Sequence, residues 1–401
     1  MNEKKIAFII CVSNEIYFEE CQNYLNHLRV PEGYEVEVFA VREAPSMCAG
    51  YNEGMRSSDA KYKVYMHQDV FFRDKDVLKK IIRIFKSDEN IGMLGVVGGV
   101  QMPKTGVVYR AWNIGKVDCR EPDLSYYYLE SETEEKEDRI AEAIDGLIMI
   151  TQYDIPWRED LFTNFDFYDV SQAFEMRRQG YQVVVPYQEE PWVIHDSSFA
   201  KLTNYDRNRK ICLKEYPEFL YADHGYEFCY NEEWDALSKK LAKEIEIMLG
   251  SGRFKEAVEM IQAYKKVGMK DSTLELLAVM CDIIRMEEQC LGEMRFFAGL
   301  DGYQAVYEHY MKVRFLLRRM ELGFAESEYV ELEDAIKKQE ISYEAITTIL
   351  LHATLDKKRV LTELGRYYEE SDQKENARKI REIYTKIESR EIPTVYMRKI
   401  F

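Results

Sequence analysis

The chain has 401 residues, with 55 lysines and arginines against 72 aspartates and glutamates, and a formal net charge of −17. This length exceeds what one compact core usually holds, so we expect two domains. A hydrophobic content of 46% excludes wholesale disorder. The excess of acidic residues argues against binding to nucleic acid or to anionic lipid, because both require basic surfaces.

The sequence shows no export or membrane signal. Residues 6–12 are too short for the apolar region of a signal peptide, and no small-residue cleavage pattern follows them. No window approaches the apolar length that spans a bilayer. The eight cysteines are scattered, without the spacing of a zinc site, and suit a reducing compartment. We therefore expect a cytoplasmic protein.

Apolar strands and amphipathic helices alternate at the start of the chain. The patterns predict strands at 6–12, 34–41 and 63–72, and helices at 17–28, 47–56 and 76–85. An uninterrupted apolar run such as the first is typical of a strand covered on both faces. Ser13 or Asn14 can cap the helix that follows it. This alternation predicts one half of a doubly wound α/β sheet.

The segment 63–72 carries His67, Gln68 and Asp69 inside an apolar run. Polar groups are costly to bury unless each has a partner, and ligands of open α/β sheets bind beyond the carboxyl ends of the strands. Asp69 is therefore the candidate carboxylate for a metal or a substrate. This segment alone leaves an alternative open, in which Asp69 caps the helix that begins near Asp74.

Residues 91–142 give weaker signals. A glycine-rich apolar strand is predicted at 91–100, where the glycines indicate the close approach of a backbone or a ligand. Its spacing does not fit the dinucleotide-binding fingerprint. The irregular segment 101–140 contains Trp112 and a cluster of tyrosines at 126–128, and an acidic run follows at 130–142. We expect a solvated, mobile lid or flap here.

Polar candidates follow the later strands as well. A buried strand is predicted at 143–151, with Asp145 and Gly146 near its start. Asp169 opens a helix predicted at 170–179, and an ordinary helix cap is the alternative reading of this residue. His195 ends a short apolar segment. A lone histidine is more often a satisfied structural residue than a ligand, and both readings stay open.

From residue 231 onward, helical periodicity replaces the strand pattern. Helices are predicted at 232–249, 253–261, 273–288, 303–322, 343–355, 361–368 and 374–380. The pair around the turn at 250–252 is similar to a tetratricopeptide helix pair, and 361–380 is a fainter echo of it. Two echoes do not establish a solenoid, so an all-α bundle and a repeat-like domain both stay open. Packing or dimerisation is the first expectation for this region, and docking of a partner protein is the second.

The ordered motifs resemble those of GT-A glycosyltransferases, in the branch similar to family 2, over residues 4–220. His67-Gln68-Asp69 occupies the position of the DxD motif, with a histidine in place of the first acid. Asp145-Gly146 resembles the acceptor-side D-G pair, and Tyr168-Asp169 with Arg177 resembles the block that contains the catalytic base. The aspartate that usually follows the second strand is absent, and Glu43 is the nearest acid.

The resemblance implies a GT-A-type, Rossmann-like α/β domain with a mostly parallel sheet over residues 1–225, followed by an all-α domain over 226–401. It also implies transfer of a sugar from a nucleotide-sugar, by family habit a UDP-hexose, to a hydroxyl of a glycan or glycoprotein. The resemblance further implies inversion at the anomeric carbon and assistance by Mn²⁺ or Mg²⁺. A helical interaction protein whose GT-A domain has lost its chemistry is the alternative, because His67 replaces an acid.

The resemblance also implies roles for individual side chains. Asp169 is the expected base, with Asp166 as the runner-up. Asp69 and His195 are the expected metal ligands, and an imidazole ligand favours Mn²⁺ over Mg²⁺. The remaining candidates are Val12, Ser13, Glu43, Asn52, His67, Gln68 and Asp69 for the donor, and Trp112, Asp145 and Gly146 for the sugar or the acceptor.

Overall fold

A computed structural model gives the architecture of the chain. It describes residues 1–120, 125–126, 136–196, 202, 204–230, 232–267, 274, 277–278, 280–281, 303–323, 327–338, 346, 350 and 355–388. The chain divides into two compact units, and the division falls after Tyr230. Within the described part of the chain, no helix combines the length and the apolar character that a membrane crossing requires.

The first unit contains fourteen strands and five α-helices among its described residues. The strands are β1 (Asn2–Val12), β2 (Glu35–Arg42), β3 (Ala60–His67), β4 (Val70–Phe72), β5 (Ile91–Gly95), β6 (Val97–Gly99), β7 (Ile114–Gly115), β8 (Asp118–Arg120), β9 (Ser125–Tyr126), β10 (Arg139–Ala141), β11 (Ala143–Ile144), β12 (Ile148–Thr151), β13 (Gln182–Val185) and β14 (Val193–His195). The helices are α1 (Glu15–Asn26), α2 (Met47–Ser57), α3 (Val77–Ser87), α4 (Tyr168–Arg178) and α5 (Tyr205–Glu215).

A seven-stranded sheet forms the centre of this unit, in the order β10-β13-β5-β12-β3-β1-β2. Strands β2, β1, β3, β5 and β13 run in one direction, and β12 and β10 run against them. The prediction of a mostly parallel α/β sheet is therefore confirmed. The two smaller sheets have the orders β11-β6-β7 and β4-β14-β8-β9.

The local sequence explains the first half of the sheet. Residues 6–10 of β1 are all buried, as a strand covered on both faces requires. The N–H of Ile16 donates to Asn14 Oδ1 at 3.0 Å, so Asn14 rather than Ser13 caps α1. Helix α3 buries one apolar face, made by Val77, Leu78, Ile81, Ile82, Ile84 and Phe85.

Three segments predicted as single strands each contribute to two sheets. In the segment 63–72, β3 ends at His67, and after a bend the chain continues as β4 in the four-stranded sheet. The segment 91–100 divides into β5 and β6, and the segment 143–151 divides into β11 and β12. These single-strand predictions are wrong because both halves of each segment are apolar and buried, so the hydrophobic pattern does not show whether the chain stays in one sheet. The glycines of β6 accommodate backbone: a Cβ on Gly98 would lie 2.7 Å from the carbonyl oxygen of Ala143.

The end of the acidic run is an edge strand. Residues 139–141 form β10, which pairs antiparallel with β13, so the expectation of a mobile lid is wrong for this part. Residues 121–124 and 127–135 lie outside the described residues, and the expectation for them stays a prediction. Helix α5 was not predicted from the sequence.

The second unit is helical over its described residues. Its helices are α6 (Glu232–Gly250), α7 (Phe254–Val267), α8 (Tyr303–Glu321), α9 (Ser327–Lys337), α10 (Lys357–Glu370) and α11 (Lys374–Glu388). The predicted change to helices is confirmed, although α9 was not predicted. The helices expected at 273–288 and 343–355 lie mostly outside the described residues.

Two helix pairs of the second unit share one turn geometry. Between α6 and α7, the N–H of Arg253 donates to the carbonyl of Met248 at 2.8 Å, and between α10 and α11 the N–H of Gln373 donates to that of Tyr368 at 2.8 Å. The central residue of each turn has a positive φ, 72° at Gly252 and 55° at Asp372. The echo in the sequence therefore corresponds to a repeated turn, and a tetratricopeptide-like domain stays a prediction.

Candidate active site

A cleft of about 580 Å³ lies at the carboxyl ends of β1, β2 and β3. Because these strands are parallel, their register aligns Val12 with Arg42 and Cys11 with His67. The residues that follow the three strands therefore meet at one edge of the sheet, where open α/β folds bind ligands. The lining residues are Cys11, Val12, Ser13, Glu15, Val41, Arg42, Glu43, Ala44, Met47, His67, Gln68, Asp69 and Phe165.

Gln68 holds the loop between β1 and α1. Its Oε1 accepts the N–H groups of Ser13 at 2.8 Å and Asn14 at 2.9 Å, and its Nε2 donates to the hydroxyl of Ser13 at 2.9 Å. The middle residue of the HQD motif therefore fixes the first loop of the cleft. Of the expected donor residues, Val12, Ser13, Glu43, His67, Gln68 and Asp69 all line the cleft.

A cluster of two histidines and one carboxylate borders the same cleft. Antiparallel pairing of β14 with β4 sets His195 opposite Val70, next to Asp69. His195 Nε2 lies 3.6 Å from Asp69 Oδ1, and His67 Nδ1 lies 3.9 Å from the same oxygen. One ligand atom from each of the three residues lies within 4.8 Å of the others. This donor set of one carboxylate and two imidazoles fits a divalent transition-metal ion better than Mg²⁺, which prefers oxygen ligands.

Asp69 and the two histidines shift one another's pKa values. Burial would raise the pKa of Asp69, but the nearby histidines, chiefly His195, hold this pKa below its ordinary value. Burial would lower the pKa of His195, but Asp69 and Cys119 raise it well above the ordinary histidine range. Burial lowers the pKa of His67. Asp69 is thus held as an anion beside His195, and a bound cation would take the place of the proton on His195, because metal ligands bind in their deprotonated form.

A second group of polar residues lies beside this cluster. The N–H of His67 donates to the carbonyl of Leu147 at 3.1 Å. Leu147 follows Asp145 and Gly146 in the turn between β11 and β12, and the N–H of Gly146 donates to Asp169 Oδ2 at 3.0 Å. The structure therefore brings Asp145, Gly146 and Asp169 together and joins them to the end of β3.

Two carboxyl groups near the start of α4 have raised pKa values. Burial, reinforced by the charge of Asp145, raises the pKa of Asp169 to about 7. The N–H groups of Val170 and Gly146 bond to its two oxygens and oppose the rise. Burial raises the pKa of Asp166 to about 6, against a hydrogen bond from Asn208. A carboxyl group with a pKa near neutrality suits proton transfer at neutral pH.

Two predicted residues lie elsewhere. Asn52 does not line the cleft: its side chain is 2% exposed, and it bonds both the N–H and the carbonyl of Trp157 at 2.9 Å. Trp112 is not among the lining residues either. Ile114 of β7 and Ile144 of β11 both pair with Gly98 of β6. Asp145 lies beside the start of β6, where its N–H donates to the carbonyl of Val97. The register of β7 sets position 112 toward the other end of β6, so the two residues lie apart.

Sequence reasoning missed several residues of the cleft. Phe165 is 55% exposed and lines it; an exposed aromatic residue gives no periodic signal. Arg42 forms a bidentate ion pair with Glu15 at 2.7 and 2.9 Å at the rim. Tyr168 contacts His67 through its hydroxyl, and its position next to Asp169 was the one available hint.

The architecture and the composition of this edge are those of a GT-A glycosyltransferase. The chain belongs to the glycosyltransferase-like family, whose sequence pattern matches residues 7–216, just over half of its length. No curated protein matches the chain.

Solved structures share parts of the fold at low identity. One is a mutant Drosophila beta-1,4-galactosyltransferase 7 in complex with manganese, UDP-Gal and xylobiose, with 14% identity and a TM-score of 0.30, covering 57% of this chain and 77% of that one. Another is A197 from STIV, with 12% identity and a TM-score of 0.26, covering 45% of this chain and 80% of that one.

Proposed function

We propose that this glycosyltransferase moves a hexose from a UDP-sugar to a hydroxyl group of a glycan or glycoprotein, with inversion and with help from a divalent cation. The observation that carries the proposal is the position of the His67–Asp69–His195 cluster at the border of a cleft formed by three parallel strand ends. Nucleotide ligands of open α/β sheets bind at such an edge. A cation held by the cluster would neutralise the negative charge of a diphosphate bound beside that edge.

The nucleoside belongs at the end of the cleft that Glu43 and Phe165 line. Glu43 is exposed and has a φ of 55°, a backbone conformation that non-glycine residues adopt at a cost and that clusters at functional sites. Its carboxylate can accept an N–H group of the base. Phe165 offers an exposed aromatic face for stacking, and Val12 and Ser13 line the same cleft.

His67, Asp69 and His195 are the residues that would hold the cation. Bound there, Mn²⁺ would neutralise the charge that develops on the leaving diphosphate. Asn52 has a supporting role in this proposal, because its bonds to Trp157 hold the core beneath the cleft.

Asp169 is the proposed base that removes the proton from the attacking hydroxyl. Its carboxylate lies next to Gly146 and is joined through the turn at Asp145 to the end of β3. Direct displacement with inversion requires a base that deprotonates the acceptor hydroxyl on the face of the sugar opposite the leaving diphosphate, and Asp169 is proposed for this role. Asp145 and Gly146 are proposed to form the acceptor side. Asp166 is the second candidate for the base, and Trp112 stays a more distant candidate for acceptor binding.

Several predictions about the whole chain remain. These are the cytoplasmic location, the domain boundary at residue 225, and a role of the helical region in dimerisation or in docking of a partner protein. None of them affects the chemistry proposed for the cleft.

Nucleotide-sugar binding is the direct test. Thermal unfolding should shift upward with UDP-hexoses in the presence of Mn²⁺, and less with GDP- or dTDP-sugars, because a ligand stabilises the folded state that binds it. Asp69→Asn should remove the Mn²⁺-dependent part of the shift, and Asp59→Asn, which removes a surface carboxylate, should keep it. A chelator should stop transfer and Mn²⁺ should restore it. An unchanged unfolding temperature with every nucleotide-sugar would contradict the proposal.

A further inference from the structure

Tyr168 joins the two halves of the proposed site. It is the first residue of α4 and is 5% exposed, and its hydroxyl lies 2.5 Å from His67 Nε2. The next residue in the chain is Asp169. One helix terminus therefore carries both a group that contacts the cation cluster and the carboxylate proposed as the base.

The ring of Tyr168 is held in place by its neighbours. It packs edge-on against Tyr51, with ring centroids 5.9 Å apart. On another side it lies against Gly146, where a Cβ atom would come within 2.1 Å of the hydroxyl oxygen of Tyr168. Gly146 is thus the residue that gives the phenol room to reach His67. A side chain packed in this way keeps its hydroxyl at one position.

The two ring nitrogens of His67 face different partners. Nε2 faces the hydroxyl of Tyr168, and Nδ1 faces Asp69 Oδ1 at 3.9 Å. A proton on Nδ1 would be too far from that oxygen for a hydrogen bond. A proton on Nε2 has the phenol oxygen as an acceptor at hydrogen-bond distance. When Nδ1 gives its lone pair to a cation, the proton of the neutral ring must lie on Nε2, beside this acceptor.

We propose that Tyr168 is a positioning residue that accepts the Nε2–H of His67 and so directs the Nδ1 lone pair toward a cation shared with Asp69 and His195. Histidine ligands of metals almost always donate their other N–H group to a fixed acceptor, and loss of that acceptor weakens metal binding. This inference rests on the cation site of the proposed function. It assigns to a phenol the acceptor role that a carboxylate or a backbone carbonyl fills elsewhere.

The test compares Tyr168→Phe with Tyr51→Phe in the full-length protein. Tyr51 lies in the same aromatic cluster, and its hydroxyl has no hydrogen-bond partner among the described residues, so it controls for the loss of a buried hydroxyl. Mn²⁺ affinity is measured by titration with detection of free Mn²⁺ by electron paramagnetic resonance. We expect Tyr168→Phe to bind Mn²⁺ about 10- to 100-fold more weakly, and Tyr51→Phe to bind it like the wild type.

Spin-echo spectroscopy of the bound Mn²⁺ adds a readout that a merely structural role would not change. The wild type should show nitrogen couplings from two imidazoles, and His67→Ala should show one. Tyr168→Phe should lose or weaken the His67 coupling while thermal unfolding verifies its fold. Two undiminished couplings and wild-type affinity in Tyr168→Phe would overturn the inference, as would a wild type with a single imidazole on Mn²⁺.

The outcome for Tyr168 is separable from the outcome for sugar transfer. Wild-type protein that binds Mn²⁺ through two imidazoles but transfers no sugar, with Tyr168→Phe impaired in binding, would refute the proposed function and support the inference. Active transfer with unchanged metal affinity in Tyr168→Phe would support the function and refute the inference.

Discussion

The backbone N–H of His67 donates a 3.1 Å hydrogen bond to the carbonyl oxygen of Leu147. This bond joins the end of β3, which carries the cation cluster, to the turn that carries Asp145 and Gly146. Gly146 in turn donates its N–H to Asp169. Two hydrogen bonds, linked by the peptide bond between Gly146 and Leu147, therefore connect the donor side of the cleft to the carboxylate of the proposed base.

Replacing Asp169 by asparagine should abolish transfer. An amide of the same shape can still accept one of the two backbone N–H groups, so we expect the fold and donor binding to persist. The loss of a general base costs about 10²- to 10⁴-fold in rate. Turnover and donor affinity, measured on the same preparation, check this.

Asp166→Asn is the matched control for that experiment, because it makes the same change three residues earlier. We expect it to retain most of the activity. If Asp166→Asn were inactive and Asp169→Asn turned over normally, the runner-up would be the base.

The pH dependence of transfer should report the pKa of Asp169, which burial raises to about 7. A base acts only when deprotonated, so kcat/KM should fall about tenfold per pH unit below this value and level off above it. Because the charge of Asp145 contributes to the rise, Asp145→Asn should move this fall in activity to lower pH. A profile that is flat from pH 5 to pH 8 would exclude a base with a raised pKa.

The sequence was informative where polar groups follow apolar strands. His67, Gln68 and Asp69 interrupt a buried run, and parallel strands bring their ends together, so both the cleft and its polar lining were predictable. Asp169 and His195 could be proposed only through the family resemblance, because each by itself has an ordinary structural reading. Their meeting at one edge depends on the pairing of β14 with β4, which no local pattern encodes.

The missed features have a common physical cause. The bend at Asp145-Gly146 lies between apolar residues that are buried in two different sheets, and the sequence does not show that the chain changes sheet there. Tyr168 resembles any aromatic core residue until its hydroxyl is seen to contact His67. The resemblance assigned Asn52 to the donor, whereas tertiary packing places its amide against the backbone of Trp157.

Gly146→Ala should be more damaging than a usual glycine substitution. The added Cβ would lie 2.1 Å from the hydroxyl oxygen of Tyr168 and 2.5 Å from Cζ of the same ring. Overpacking of this kind costs about 1–3 kcal/mol of unfolding free energy, and displacement of the ring should also reduce Mn²⁺ affinity. Denaturant unfolding and Mn²⁺ titration measure the two effects.

Gly250→Ala provides the control for Gly146→Ala. Gly250 ends α6, and a Cβ there would meet nothing within 4 Å. Since alanine favours helix more than glycine does, this variant should be as stable as the wild type or slightly more stable. Equal stability and equal metal affinity in the two variants would contradict the packing described for Tyr168.

Asn52→Ala separates the two interpretations of Asn52. The sequence resemblance predicts a donor-binding residue, and the structure shows a buried amide that bonds the N–H and the carbonyl of Trp157. Removing it leaves two buried backbone groups without partners, at a cost of about 1–3 kcal/mol each. We expect a large loss of unfolding free energy, with donor affinity unchanged in the protein that remains folded. Ser13→Ala should do the reverse, because Ser13 is exposed and lines the cleft. Denaturant unfolding and donor titration on both variants decide the matter: weaker donor binding by a fully stable Asn52→Ala would restore the residue to the donor site.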